Sequence, residues 1–237
     1  MISIIMLSYG SNILTRQSID SILEHTSTDY ELIVVDNNSG LLLRDKKYKG
    51  IRLIKNRGNP GYARGCNQGA DQAKGRYLLF LNNDTIVTPG WLLAMYQVML
   101  KNKDVGIVGS KLLFPDTGRI QHAGVIFIDR LPGHIYYNES PFEVPIEEEK
   151  EYPAVTGACL LIRKSLFERV GGFDHLFINS YEDIDLCLKI RGLGYRIIYT
   201  PDSLVYHYSS KSPGRHRYDK RNLALLLKKW QGSSLLS

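Results

Sequence analysis

Tyr77-Leu78-Leu79-Phe80-Leu81-Asn82-Asn83-Asp84-Thr85 decides how the rest of the chain is read. Its first five residues form an unbroken apolar run of strand length that stops at polar turn formers. Such a run reads as a strand buried on both faces. Burial on both faces calls for helices above and below, and so for neighbouring strands in a mainly parallel sheet. Upstream, Ile2–Ser8, Tyr30–Asp36 and residues 51–55 read as strands. Residues 12–25 form a helix with Ile13, Ile19, Ile22 and Leu23 on its apolar side, and residues 61–74 form a second helix, poor in large apolar residues. Downstream, Thr88 is expected as N-cap and Pro89 as first helical residue of a helix to about residue 100. Strand, helix, strand, strand, helix, strand, helix is the order of an α/β sheet covered by helices.

Beyond Gly106 the pattern changes. Residues 123–128 and 154–162 read as strands, and the stretch between them carries Glu147-Glu148-Glu149, a solvated loop or a lid. Residues 180–193 read as a helix, and 195–199 and 204–208 as short strands. Residues 1–207 are read as a single domain with halves at 1–105 and 106–207, and 208–237 as a tail. In the tail, Leu223, Leu226, Leu227 and Trp230 fall at i, i+3, i+4 and i+7 beside Lys228 and Lys229. That amphipathic helix either docks on the domain or lies on an anionic membrane surface.

Composition narrows the classes. With 237 residues, 43% apolar and 23% charged, the chain is of ordinary globular make-up, which excludes disorder, collagen and a disulfide-stapled miniprotein. Cys66, Cys159 and Cys187 lack C-x-x-C spacing, which points to a reducing compartment and no structural zinc. Residues 208–237 hold seven Lys or Arg against Asp219, while residues 1–207 balance at 23 of each sign, so the net charge of +6 belongs to the tail. An acidic membrane surface or a pyrophosphate would meet it there. The opening residues lack a basic n-region and no apolar run approaches the ~18 residues of a membrane span, so a soluble cytoplasmic protein is expected.

Gly58 to Gly65 is spaced G-x-x-G-x-x-x-G, neither a dinucleotide fingerprint nor a Walker loop. There is no HExxH, GxSxG or zinc-deaminase signature, and no interleaved basic and aromatic surface for nucleic acid. Asp84, just past the end of a central strand, points toward the cleft where open α/β sheets bind ligands. A lone carboxylate suits Mg²⁺ or Mn²⁺ shared with substrate phosphates, although an Asx-turn would use the same residues. Glu182, Asp183 and Asp185 crowd one helix start. Ser180 with Asp183 resembles a capping box, which explains one acid better than three. His207 ends a late strand and is a third candidate.

Together with Asp36 and Asn67 these sites form a pattern that resembles the nucleotide-sugar-dependent glycosyltransferases of family 2, closest to their rhamnosyltransferase-like branch. The stretches that carry it are VVDNNSG (34–40), NRGNPGYARGCNQG (56–69), LLFLNNDT (78–85), IQHAGV (120–125), VTGACLLIRKSLFERVGGFD (155–174) and YEDIDLCLKIRGLGYRIIYTPDSLVYH (181–207). They run through nearly the whole chain in the family's order.

The resemblance implies a GT-A fold, a Rossmann-like mainly parallel sheet flanked by helices with a small acceptor-side sheet. It makes 1–105 the nucleotide-binding half and 106–207 the acceptor-binding half. By it, Ser8, Tyr9 and Asp36 line the nucleotide pocket, and Asn67 and Asn83 approach the nucleotide-sugar. Gly157 and Ala158 let the backbone approach the donor sugar. Asp84 and His207 hold Mg²⁺ or Mn²⁺, with Asn82 replacing the first acid of the metal motif and loosening metal dependence. Asp183 is the catalytic base and Glu182 the acceptor-binding acid. The implied reaction is inverting transfer from dTDP-L-rhamnose, or a UDP-hexose, to a cell-envelope glycan or lipid-linked glycan, with peripheral membrane contact through the tail. A sugar-nucleotide pyrophosphorylase and a non-catalytic nucleotide-sugar-binding module are the rivals.

Overall fold

The computed structural model describes residues 1–209 and 216–236. In chain order, the first half runs β1 (Ile2–Ser8), α1 (Asn12–His25), β2 (Tyr30–Asp36), β3 (Arg52–Lys55), α2 (Tyr62–Asp71), β4 (Tyr77–Asn82), β5 (Thr85–Val87) and α3 (Trp91–Lys101). The second half runs β6 (Val105–Leu113), β7 (Ile120–His122), β8 (Val125–Ile128), β9 (Leu131–His134), β10 (Lys150–Glu151), β11 (Cys159–Arg163), α4 (Lys164–Arg169), α5 (Glu182–Gly192), β12 (Arg196–His207) and α6 (Asp219–Lys229).

One sheet carries both halves in the order β10-β12-β6-β11-β4-β1-β2-β3, with β5 on β12 and β7 on β6, while β8 and β9 form a separate hairpin. Strands β1 to β4 are mutually parallel, β6 and β12 are parallel to each other, and β11 runs antiparallel between β4 and β6. This is the GT-A arrangement that the resemblance implies.

Alternation along the strands divides the core. Ile5, Leu7, Ile33, Val35, Leu78 and Phe80 face α2, α5 and α6, while Ile4, Met6, Leu32, Val34, Leu79 and Leu81 face α1 and α3. Helix α2 has few large side chains because it lies against β1: a Cβ on Gly69 would come within 2.6 Å of Ile5 Cγ2. A close-packed interior leaves no room for that atom.

Several boundaries differ from the sequence reading. Thr88 does not cap α3; its hydroxyl donates to Leu204 O, and Gly90 in the left-handed region (φ 82°) precedes the helix. The expected 123–128 strand begins only at Val125, as β8, and Gly124 (φ 131°) separates it from a further strand, β7, that precedes it. The expected strands 195–199 and 204–208 are one strand, β12, with a register shift between Thr200 and Leu204. Residues 154–158 stay irregular before β11. Ser180 forms no capping box, because Tyr181 (φ 66°) occupies the cap position of α5 and Ser180 Oγ accepts from Asn222 instead.

The tail helix docks. Leu226 and Leu236 are fully buried in the core, with Leu225, Leu227 and Trp230 packed against it. Lys229 Nζ binds Asp174 at 2.6 Å and Asp185 at 2.9 Å, and the Trp230 indole N–H donates to Asp185. Of the two readings of this helix, docking on the domain is the one the structure shows. Lys211 and Arg215 lie outside the described residues. No helix among the described residues is long and apolar enough to cross a membrane.

Candidate active site

Strands β1 and β4 are neighbours whose chains continue to opposite sides, β1 through α1 to β2 and β4 through β5 and α3 to β6 beyond β11. A crevice opens beyond the carboxyl ends at such a point. Here it is a cleft of about 810 Å³ lined by Tyr9 after β1, Asn82, Asn83 and Asp84 after β4, Thr156, Gly157 and Ala158 before β11, Glu182 and Asp183 at the start of α5, and His207 at the end of β12. That volume suits a nucleotide-sized ligand.

The antiparallel β11 explains why distant sequence meets here. Its first residue pairs with Leu81, and Asn82 N–H donates to Ala158 O, so the start of β11 lies beside the end of β4. Asn83 joins the other side, donating to Thr15 Oγ1 (2.8 Å) and Tyr9 O (3.3 Å).

Asp84 Oδ1 lies 3.0 Å from His207 Nε2, and both residues are buried at the cleft floor. Asn82 Nδ2 is 3.2 Å from the same ring nitrogen. On the far side of the ring, Gln121 Oε1 accepts from Nδ1 and Gln121 Nε2 donates to His207 O. A ring that donates from Nδ1 turns Nε2 toward Asp84, the nitrogen a metal ion shared with that carboxylate would take up. Among the described residues no three His, Cys, Asp or Glu side chains gather into a metal cluster. A carboxylate and an imidazole fit a divalent ion whose other ligands are phosphate and water.

Asp183 faces the cleft from the first turn of α5. Its Oδ2 accepts from Gly157 N–H (2.7 Å) and its Oδ1 from Ile184 N–H (2.8 Å), and the helix dipole favours the negative charge. Gly157 packs closely on this side chain: a Cβ there would sit 3.0 Å from Asp183 Cβ and press on it. Tyr62 fixes the other end of the residue, donating its hydroxyl to Gly157 O at 3.0 Å. Burial, then Cys66, then the nearby carboxylates raise the Tyr62 pKa well above the usual range, so the hydroxyl stays a donor.

Three residues expected at the nucleotide do not line the cleft. Ser8 is fully buried, its hydroxyl against Thr15 and Ser39. Asp36 accepts from Ser39 N–H, Ser39 Oγ–H and Leu41 N–H, which closes the turn after β2. Asn67 spends its amide on both backbone groups of Phe173. Each side chain is committed inside the fold. Conversely, Gln121, His122 and His134 reach the cleft without having been assigned a role. The signal for the first two was two polar residues in a strand that is buried throughout.

A family model described as "Glycosyl transferase family 2" matches residues 3–171. The O-antigen biosynthesis protein RfbC of Myxococcus xanthus is 35% identical over 215 residues, 84% of this chain and 16% of that protein. Rhamnosyltransferase WbbL of Escherichia coli K12 is 30% identical over 229 residues, covering 88% of this chain and 84% of that one. The chain thus spans under a fifth of one relative and most of the other. Among solved structures, GalNAc-T7 with UDP, GalNAc and Mn²⁺ superposes with a TM-score of 0.74 at 17% identity, over 98% of this chain and 48% of that one.

Proposed function

Since the chain belongs to glycosyl transferase family 2, we propose that it moves a sugar from a nucleoside diphosphate to a glycan hydroxyl with inversion at the anomeric carbon. Asp183 takes the proton of the acceptor hydroxyl. The acceptor oxygen bonds to C1 of the sugar as the bond from C1 to the diphosphate oxygen breaks, and the nucleoside diphosphate departs with that electron pair. General-base catalysis of this kind contributes typically ~10²–10⁴-fold, or roughly 3–5 kcal/mol of barrier. Asp84 and His207 would hold Mg²⁺ or Mn²⁺, which when bound neutralises charge on the diphosphate. Glu182 orients the acceptor.

One observation carries the reading: Asp84 with His207, and Asp183, open onto a single cleft at the switch point of the sheet. For the donor we propose dTDP-L-rhamnose, supported by the relative WbbL, a rhamnosyltransferase. A UDP-hexose is the second reading, supported by the UDP held in the GalNAc-T7 structure. RfbC supports a cell-envelope glycan as acceptor, lipid-linked in the simplest case. Among the described residues of the tail, Arg217, Lys220, Arg221 and Lys228 are exposed and would supply membrane attraction, a weak and salt-sensitive contribution.

Thermal melting with dTDP, UDP and their sugars, with and without Mn²⁺, tests this. A ligand at ~100 times its Kd stabilises by about 2.7 kcal/mol. Asp84→Asn should remove the Mn²⁺-dependent part of the shift. If no nucleoside diphosphate raises the melting temperature, the donor site is wrong.

A further inference from the structure

The cleft wall built from β7 and β9 holds two imidazoles that the reaction above leaves without a task. His122 on β7 and His134 at the end of β9 meet Nδ1 to Nδ1 at 2.8 Å, with their rings 83° apart. Two nitrogens at that distance share one proton; two protons clash, and none leaves facing lone pairs. Thr156 N–H can only donate, and it reaches His122 Nε2 at 3.4 Å. His122 therefore accepts at Nε2 and carries its own proton on Nδ1, which it donates to His134. With Nδ1 of His134 an acceptor, the proton of that neutral ring sits on Nε2.

Burial favours the neutral form of both rings. It lowers the His122 pKa well below the usual imidazole value, with the neighbouring His134 adding to the effect. Enclosure by the cleft lowers that of His134 too, opposed by Asp183 and aided by His207. Both ends of the reaction site thus act on this ring. His134 is nonetheless exposed to the cleft, and its Nε2 has no hydrogen-bond partner among the described residues. Tyr137, more than half exposed, sets its ring beside it, centroids 6.3 Å apart.

Adjacent peptide groups place this pair beside the base. Thr156 N–H holds His122, and the next amide, Gly157 N–H, holds Asp183. We infer that His134 Nε2–H donates to a hydroxyl oxygen of the acceptor sugar, with His122 as the positioning residue that fixes its tautomer. The inference rests on the glycosyl-transfer reading. An uncharged N–H suits a neutral hydroxyl, whereas phosphate draws cationic donors. The hairpin that carries His134 belongs to the second half of the chain, the half that the family resemblance assigns to the acceptor.

The test is long-range ¹H–¹⁵N NMR of the histidine rings in the full chain, saturated with UDP and Mn²⁺. Methyl glycosides of rhamnose, glucose, galactose, mannose and N-acetylglucosamine are then titrated. The expected spectrum has His134 protonated on Nε2 and His122 on Nδ1, and at least one glycoside moves the His134 Nε2–H resonance. His134→Phe should weaken that glycoside about tenfold, the worth of one good hydrogen bond, and His134→Gln, which keeps an N–H near the same place, should restore most of it. His122→Phe should leave His134 in mixed tautomers. UDP affinity should stay within twofold throughout. The inference is overturned by the opposite tautomer, or by a panel that leaves His134 unmoved while UDP and Mn²⁺ bind. Failure of the parent protein to bind either dTDP or UDP would instead refute the glycosyl-transfer reading.

Discussion

Asp185→Asn in α5 removes the charge on which two ammonium groups and an indole converge. The carboxylate is wholly buried, with Lys189 Nζ and Trp230 Nε1 at 3.0 Å and Lys229 Nζ at 2.9 Å. Removing one side of a buried ion pair costs roughly 3–5 kcal/mol, because the remaining charge loses its partner inside the protein. The lower end, about 3 kcal/mol, applies here, since Lys229 is 30% exposed and keeps Asp174 at 2.6 Å. For a chain of this size each kcal/mol moves the melting temperature by roughly 2–4 °C, so the variant should melt about 6–12 °C below its parent. Asp174→Asn, at the more exposed end of the network, should cost about 1 kcal/mol or less. Circular dichroism melts read both, and Trp230 fluorescence reports whether α6 leaves first. An Asp185→Asn variant that melts within about 2 °C of the parent would refute the docked helix.

Asp183→Asn should leave the nucleotide-induced melting shift unchanged while turnover falls about 10²–10⁴-fold, as expected for loss of a general base; near-normal turnover removes Asp183 from that role. Gly157→Ala forces its new methyl to 3.0 Å from Asp183 Cβ, and kcat should fall roughly ten- to a hundredfold with nucleotide affinity intact, because small misplacements of reacting groups are costly. The lowered pKa of His122 gives a pH prediction. Below the unfolded value of about 6.5 the unfolded chain binds a proton that the folded one refuses, so this stability is full above that pH and is lost as pH falls toward the folded pKa. Urea melts should show that slope in the parent and a flatter one in His122→Gln. An identical slope in both would place the titration elsewhere.

Much of this fold is legible in the chain because its strands are apolar on both faces. β1 and β4 could hardly be anything else, and burying them on both faces requires helices above and below the sheet. What is hard to read is where backbone geometry turns on a single residue. The cap at Tyr181, the break at Gly124 and the left-handed turn at Gly90 each depend on a positive φ in a sequence that permits other choices. The cleft residues divide by the same logic. Asp84, Asp183 and His207 stand out because clustered charge beside apolar runs demands a reason. Asp36 and Asn67 looked equally available, and only three dimensions reveal the amide and hydroxyl donors that occupy them. Gln121 was hidden by the opposite circumstance, a neutral side chain whose partner lies 86 residues away.

The first turn of α5 presents opposite sides to two different duties. Asp183 looks into the cleft; two residues later Asp185 anchors the last helix. Asn222 of that helix also holds Ile178 O and Ser180 O, the strand of backbone that leads into Tyr181. The C-terminal segment therefore works as a brace behind the reacting carboxylate. Whatever tugs on it, a mutation or a following stretch of polypeptide, will be felt in turnover before it is felt in ligand affinity.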